Sequence, residues 1–266
     1  LTGSGATSYV WNPGAIPGST ISVSPTATTT YTVTGTGANG CTSTAQVTVT
    51  VNTTPTVTAV ASSPTICSGQ STNLTGSGAT TYVWNPGAIP GSPITVSPAG
   101  TTTYTVTGTT AGCSSTAQVT VTVNPSPTVT AVASSPTICN GGSTNLTGSG
   151  ATSYVWNLGA MSGSAISVSP SITTTYTVTG TAANGCTNTA QVTVTVNPTP
   201  TVTAVASSPT ICNGGSTNLT GSGATSYVWN PGAIPGSPIS VSPSITTTYT
   251  VTGTAANGCT NTAQVT

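Results

Sequence analysis

Four tryptophans reveal how this chain is organised. Trp11, Trp84, Trp156 and Trp229 are separated by 73, 72 and 73 residues, each inside one recurring phrase: SYVWNPG, TYVWNPG, SYVWNLG, SYVWNPG. The phrase TTTYTVTGT recurs in the same register and carries Tyr31, Tyr104, Tyr176 and Tyr249. A period of this length marks a row of like modules, each a single supersecondary unit. Seams fall at Asn52-Thr-Thr-Pro55, Asn124-Pro-Ser-Pro127 and Asn197-Pro-Thr-Pro200, which divide the chain into units at 1–52, 55–124, 127–197 and 200–266. Leu1 aligns with Leu74 and Thr266 with Thr193, so the outer two units are expected to be partial and the parent protein longer at both ends. Proline cannot donate to a sheet ladder and biases its neighbour toward extended backbone. Seams this short should couple adjacent units closely rather than tether them loosely.

Within a unit the apolar period is two, which is the signature of strands. Ala117, Val119, Val121 and Val123 fall on one face of their segment, and Gln118, Thr120 and Thr122 on the other. Tyr104 and Val106, Ile94 and Val96, and Tyr82 and Trp84 pair up in the same way. Gly and Pro punctuate the pattern about every ten residues, and no helical stripe is present, so each unit reads as a small β-sandwich. Six or seven strands are predicted for the second unit, over 56–61, 64–67, 71–78, 80–85, 93–97, 102–108 and 115–123. The fold class is therefore all-β, a tandem array of sandwich modules of about 72–73 residues. Trp11, Trp84, Trp156, Trp229 and the four tyrosines of the TTTYTVTGT phrases are the expected core aromatics.

Composition then removes whole classes of function. The chain contains no Lys, Arg, Asp, Glu or His. General acid–base catalysis lacks its usual groups, and Ser or Cys nucleophiles lack a base, so no enzyme is expected and no catalytic residue or cofactor site is assigned. Metal sites lose every ligand type except Cys, carbonyls and amides, and no metal site is assigned. Phosphate backbones are gripped chiefly by Lys and Arg, which removes nucleic acid as a partner. No apolar run approaches the ~20 residues of a spanning helix, so the chain is not expected to span a membrane.

The seven cysteines point to an oxidising, extracytoplasmic compartment. Modules of this size bury only a modest core and are marginal alone. Cys67 and Cys113, Cys139 and Cys186, and Cys212 and Cys259 are spaced by 46, 47 and 47 residues, with Cys41 unpaired in this window. Pairing within each unit is the expectation, by analogy with other Cys-paired modules, and a loop of that size would contribute about 4 kcal/mol. In a standard seven-strand sandwich, however, the two cysteines of a unit lie at opposite poles, whereas a disulfide needs Cα atoms about 4.4–6.8 Å apart. A bridge between units, such as Cys67 to Cys186, therefore stays open as the alternative.

The phrases TIC-x-G-x-STNLTGSGA, YVWNPG, TTTYTVTGT and NGC-x-x-TAQVTVTVNP resemble the immunoglobulin-like or PKD-like repeats of giant surface proteins in Bacteroidota. The resemblance spans the whole chain. It implies an extracellular, cell-surface or secreted adhesin, typically exported by the type IX system. PKD domains proper carry a WDFGDG-like turn, whereas Trp84 is followed here by Asn85-Pro86-Gly87. The resemblance thus speaks for the fold and supplies no ligand site.

The functional expectation is a structural or adhesive repeat region that forms, or contributes to, a stiff filament, stalk or sheath. Self-association with copies of the same chain is expected, because an uncharged surface lacks the usual guard against edge pairing. The alternatives are a passive spacer presenting a separate binding domain, or a glycan- or ice-binding module. Trp84 with Tyr82 would be the sugar platform, although a Trp on this strand is ordinarily core. Alternating threonines such as Thr120 and Thr122 resemble an ice-binding array, but Thr is simply a good strand former and sandwich faces twist.

Overall fold

The computed structural model describes all residues from Leu1 to Thr266. It divides into two compact units, Leu1–Pro125 and Ser126–Thr266, the break falling inside the second seam. Within the first, residues 55–124 form two sheets. Thr58–Ala61, Thr72–Ser77 and Ile94–Val96 make a three-stranded sheet with Thr72–Ser77 in the middle. The other has five strands in the order Thr65–Cys67, Cys113–Asn124, Thr102–Thr110, Thr81–Asn85, Ile89–Pro90. This is the strand arrangement of an immunoglobulin-like sandwich. In the second unit, residues 127–197 repeat both sheets with the same strand orders.

Pairing is antiparallel throughout, except where the short Thr-Ile-Cys strand runs parallel to the end of the last strand. Thr65, Ile66 and Cys67 are registered against Thr122, Val123 and Asn124, and Thr137, Ile138 and Cys139 against Thr195, Val196 and Asn197. Each predicted strand is found, shifted by one or two residues. The hairpin between Thr102–Thr110 and Cys113–Asn124 is longer than expected because Ala111 (φ 49°) and Gly112 (φ 82°) close it in two residues. Positive φ at both positions is the tight turn that suits the twist of paired strands. The two-residue strand Ile89–Pro90 had no periodic signal and was not anticipated.

The core is built by the alternation read from the sequence. Leu74, Trp84, Val106 and Val121 are all 0% exposed in residues 55–124, and Leu146, Trp156, Val178 and Val194 take the same positions in residues 127–197. Each indole N–H is satisfied as well: Trp84 Nε1 donates to the Gly91 carbonyl at 3.1 Å, Trp156 Nε1 to Gly163 at 3.2 Å. The strand beneath the ring has a glycine for lack of space. A Cβ on Gly76 would stand 3.0 Å from Tyr82 and 3.4 Å from Trp84. No buried side-chain nitrogen or oxygen is left without a partner. A buried, unpaired polar group costs roughly 1–3 kcal/mol, so a Thr- and Asn-rich chain depends on this.

Of the two outer repeats, the first contributes one four-stranded sheet and the last a three-stranded and a four-stranded one. In residues 200–266 the segment Thr210–Cys212 is in no strand, and the last strand is Thr260–Val265. Tyr249, expected in the core with Tyr31, Tyr104 and Tyr176, is half-buried. It lines an open groove with Ile211, Cys212 and Thr266.

Burial raises the Tyr104 and Tyr176 hydroxyls above the usual tyrosine value of 10.0, because an ionised phenol would lose its hydration. A raised folded-state value favours the protonated fold. That contribution is present below the unfolded value and is lost as pH rises through the folded one. With no carboxylate or histidine, the chain should keep its stability from acid to neutral pH and lose it only in alkali, together with tyrosinate formation. Circular dichroism and tyrosinate absorbance followed through one pH titration test this; a transition in acid would contradict it.

Candidate functional site at the repeat seams

Polar side chains with unusual jobs cluster at the seams rather than in a cleft. In the second unit, Cys139 ends its short strand opposite Asn197, the first residue of the seam Asn197–Pro200. The hairpin around Cys259 meets the same seam. Asn257 Nδ2 donates to the Pro198 carbonyl at 3.1 Å and Asn261 Nδ2 to the Pro200 carbonyl at 3.0 Å. Proline carbonyls at a seam have no ladder partner, so amide side chains supply the donors that strands would otherwise give. Cys259 Sγ lies 4.0 Å from the Asn197 carbonyl oxygen, and Cys259 is fully buried.

Cys139 and Cys259 are joined by a disulfide across this seam, with Cα atoms 5.6 Å apart and 120 residues between them in sequence. Cys67 and Cys186 each take part in a disulfide, whereas Cys41, Cys113 and Cys212 are free. None of the three expected pairings within a unit is therefore formed: Cys113 and Cys212 carry free thiols, and Cys139 is bonded to Cys259 rather than Cys186. The reason is strand length. Cys67 is registered against Asn124, and Cys113 opens the same strand eleven positions earlier (124 − 113). At about 3.3 Å per residue that separates the two poles by about 36 Å, far beyond what a disulfide spans.

At the seam Asn52–Pro55 the clamp runs in the opposite sense, from the seam asparagine to the hairpin. Asn52 Nδ2 donates to the Ala111 carbonyl at 2.8 Å, and the Cys113 thiol points at the Asn52 carbonyl at 3.6 Å. Sequence reasoning overlooked these asparagine clamps, although Asn stands two residues to either side of Cys186 and of Cys259, at Asn184, Asn188, Asn257 and Asn261.

The tryptophans are not surface platforms. Trp11 is 2% exposed, and Trp84, Trp156 and Trp229 are 0% exposed, so no ring face is open to a sugar. Tyr82 is spent locally: its hydroxyl donates to the Ala79 carbonyl and accepts from the Ala79 amide, both at 2.7 Å. The exposed threonines bond one another across strands, Thr103 with Thr120 at 2.9 Å and Thr175 with Thr193 at 2.8 Å. No helix of the chain is long and apolar enough to cross a membrane.

No protein-family model and no curated protein matches the chain. Among solved structures, a fragment of a 1.5-MDa bacterial ice-binding adhesin is 15% identical, with 80% of this chain and 97% of that one covered and a TM-score of 0.29. Titin domains I67–I69 are 11% identical over 80% of this chain and 98% of that one, with a TM-score of 0.30. The N-terminal eight immunoglobulin domains of Down Syndrome Cell Adhesion Molecule are 12% identical over 96% of this chain and 43% of that one, with a TM-score of 0.30. At these TM-scores the likenesses carry nothing over to this chain, and the fold rests on its own strand order. The chain is an all-β tandem array of immunoglobulin-like sandwich modules.

Closing a loop of 120 residues removes unfolded-state entropy worth up to about 5 kcal/mol in the chain-entropy model. Replacing both Cys139 and Cys259 by serine should lower the urea midpoint of the oxidised protein accordingly. An unchanged midpoint would show that the seam is held by its asparagine clamps alone.

Proposed function

We propose that this chain is a structural or adhesive repeat region of an extracellular surface protein, contributing to a stiff filament, stalk or sheath. The observation that carries the reading is the disulfide across a repeat seam. A bond inside one module would stabilise that module; a bond between modules resists bending and pulling at the joint. Such bonds persist in oxidising compartments, which supports an extracellular setting. The sequence phrases suggest a Bacteroidota protein sent out by the type IX route.

Lateral association is part of the proposal. Val60, Val132 and Val205 are each 60% exposed, and Val83, Val155 and Val228 are 40–48% exposed, at the same places in successive repeats. With no charged residue nearby in sequence or space, these valines pack against a neighbour without the cost of desolvating ions.

Electron microscopy of the non-reduced protein at increasing concentration separates the filament from a passive spacer. Uniform filaments with an axial period of one module or a small multiple are expected, unaffected by added sodium chloride. Isolated single-chain rods at every concentration would make the chain a spacer and move the binding function elsewhere.

A further inference from the structure

The turn that follows the tryptophan strand is built differently in residues 127–197. Residues 84–93 carry Pro86, Pro90 and Pro93, and residues 229–238 carry Pro231, Pro235 and Pro238. Residues 156–165 have Leu158, Ser162 and Ala165 at those places. Proline fixes its own φ and restricts the residue before it, so the proline-free turn gains more freedom when it opens. It also starts from a less comfortable backbone. Leu158 (φ 55°) and Ala160 (φ 49°) are both left-handed, whereas Ala88 and Ala233 are the only non-glycine residues with positive φ in their turns. A bulky side chain at positive φ is an outlier. The far end of the hairpin is tied differently too. Ser92 Oγ donates to the Gly76 carbonyl and accepts from the Gly76 amide, both at 2.8 Å, and Ser237 does the same with Gly221. The Gly148 amide is taken instead by the Ser164 backbone carbonyl at 2.8 Å.

Leu158 is 57% exposed at this turn, with Asn157, Gly159 and Ala160 exposed around it. Leu74, Leu146, Leu219 and the four tryptophans are at most 2% exposed. Every other exposed large apolar side chain is Val or Ile, branched at Cβ and stiff. Ile172 and Ile245 are more exposed, at 73% and 77%, but the Thr174 and Thr247 hydroxyls hold their carbonyls at 2.7 and 2.8 Å. An enzyme that binds a chain as an added extended strand, with a deep apolar pocket for one side chain, therefore meets one suitable residue on the folded surface.

We propose that Leu158–Gly159 is a processing bond for an endopeptidase with an apolar S1 pocket, and that the Cys139–Cys259 disulfide keeps the two products joined. Water is the co-substrate. The C–N bond between Leu158 and Gly159 breaks, the water oxygen bonds to the Leu158 carbonyl carbon to give a carboxylate, and Gly159 leaves as a protonated amine; no electrons are transferred. Cys139 lies before the cut and Cys259 after it. Two strand pairings also cross it: Ser153–Trp156 with Thr174–Thr181, and Thr144–Ser149 with Ala165–Val168. Cleavage alone leaves the chain joined, and cleavage followed by reduction and unfolding severs it.

The test treats the whole oxidised chain, its free thiols alkylated, with chymotrypsin under native conditions. The first cut should follow Leu158, about tenfold faster than any other, because the turn that opens most readily is nicked first. In denaturant the product should remain one species, heavier than the starting chain by one water. Reduction should separate it into a fragment ending at Leu158 and one beginning at Gly159. Leu158→Pro should abolish this cut. Pro86→Leu, which leaves Pro90 and Pro93 in place, should be cut about tenfold more slowly than the Leu158 turn, because its prolines still restrain it. A folded chain that resists the enzyme, a first cut elsewhere, equal cutting at the Pro86→Leu turn, or fragments that part in denaturant without reduction would each overturn the proposal.

Discussion

The parallel pairing of three residues, Thr137-Ile-Cys139 on Thr195-Val-Asn197, sets the character of the whole array. It anchors Cys139 at the far end of the last strand, beside the seam, as the same pairing anchors Cys67. The other cysteine opens that same strand at the opposite pole. Once both are anchored, the two thiols of one sandwich cannot meet, and the bond passes to the adjacent repeat. The covalent joint thus follows from sheet register rather than from any special linker. The short seam, the Asn257 and Asn261 donors and the buried Cys259 all serve one junction.

The lack of charge has a structural counterpart in how polar groups are satisfied. Hydroxyls bond hydroxyls across strands, Gln118 Nε2 donates to Thr105 Oγ1 at 3.0 Å, and the Asn257 and Asn261 amides cap the seam carbonyls of Pro198 and Pro200. Hydrogen bonds between neutral groups are individually modest, about 1 kcal/mol net, but they do not depend on salt or on carboxylate protonation. What remains exposed is valine and threonine on twisted sheets. An enzyme would gain nothing from such a surface. A durable assembly outside the cell would.

Much of the sandwich was legible because its signals are local. Alternation of Val and Thr in residues 117–123 marks the strand and its buried face, and Gly or Pro marks each turn. The cysteine partners were half legible: the standard sandwich already put the two cysteines of a unit at opposite poles and left a bridge between units open, but spacing alone did not choose it. The spacing of 46 or 47 residues suggested a loop within one module. Only the register of Cys67 against Asn124 shows that this loop spans the full length of the sandwich.

Disulfide mapping of the chain tests this account most directly. Acid-stable proteolysis without reduction, with free thiols blocked beforehand, should release one cross-linked pair holding Cys139 and Cys259, with Cys113 and Cys212 recovered blocked. Recovery of Cys139 bonded to Cys186, or of Cys212 bonded to Cys259, would place the bonds inside single modules and remove the covalent joint on which the structural reading rests.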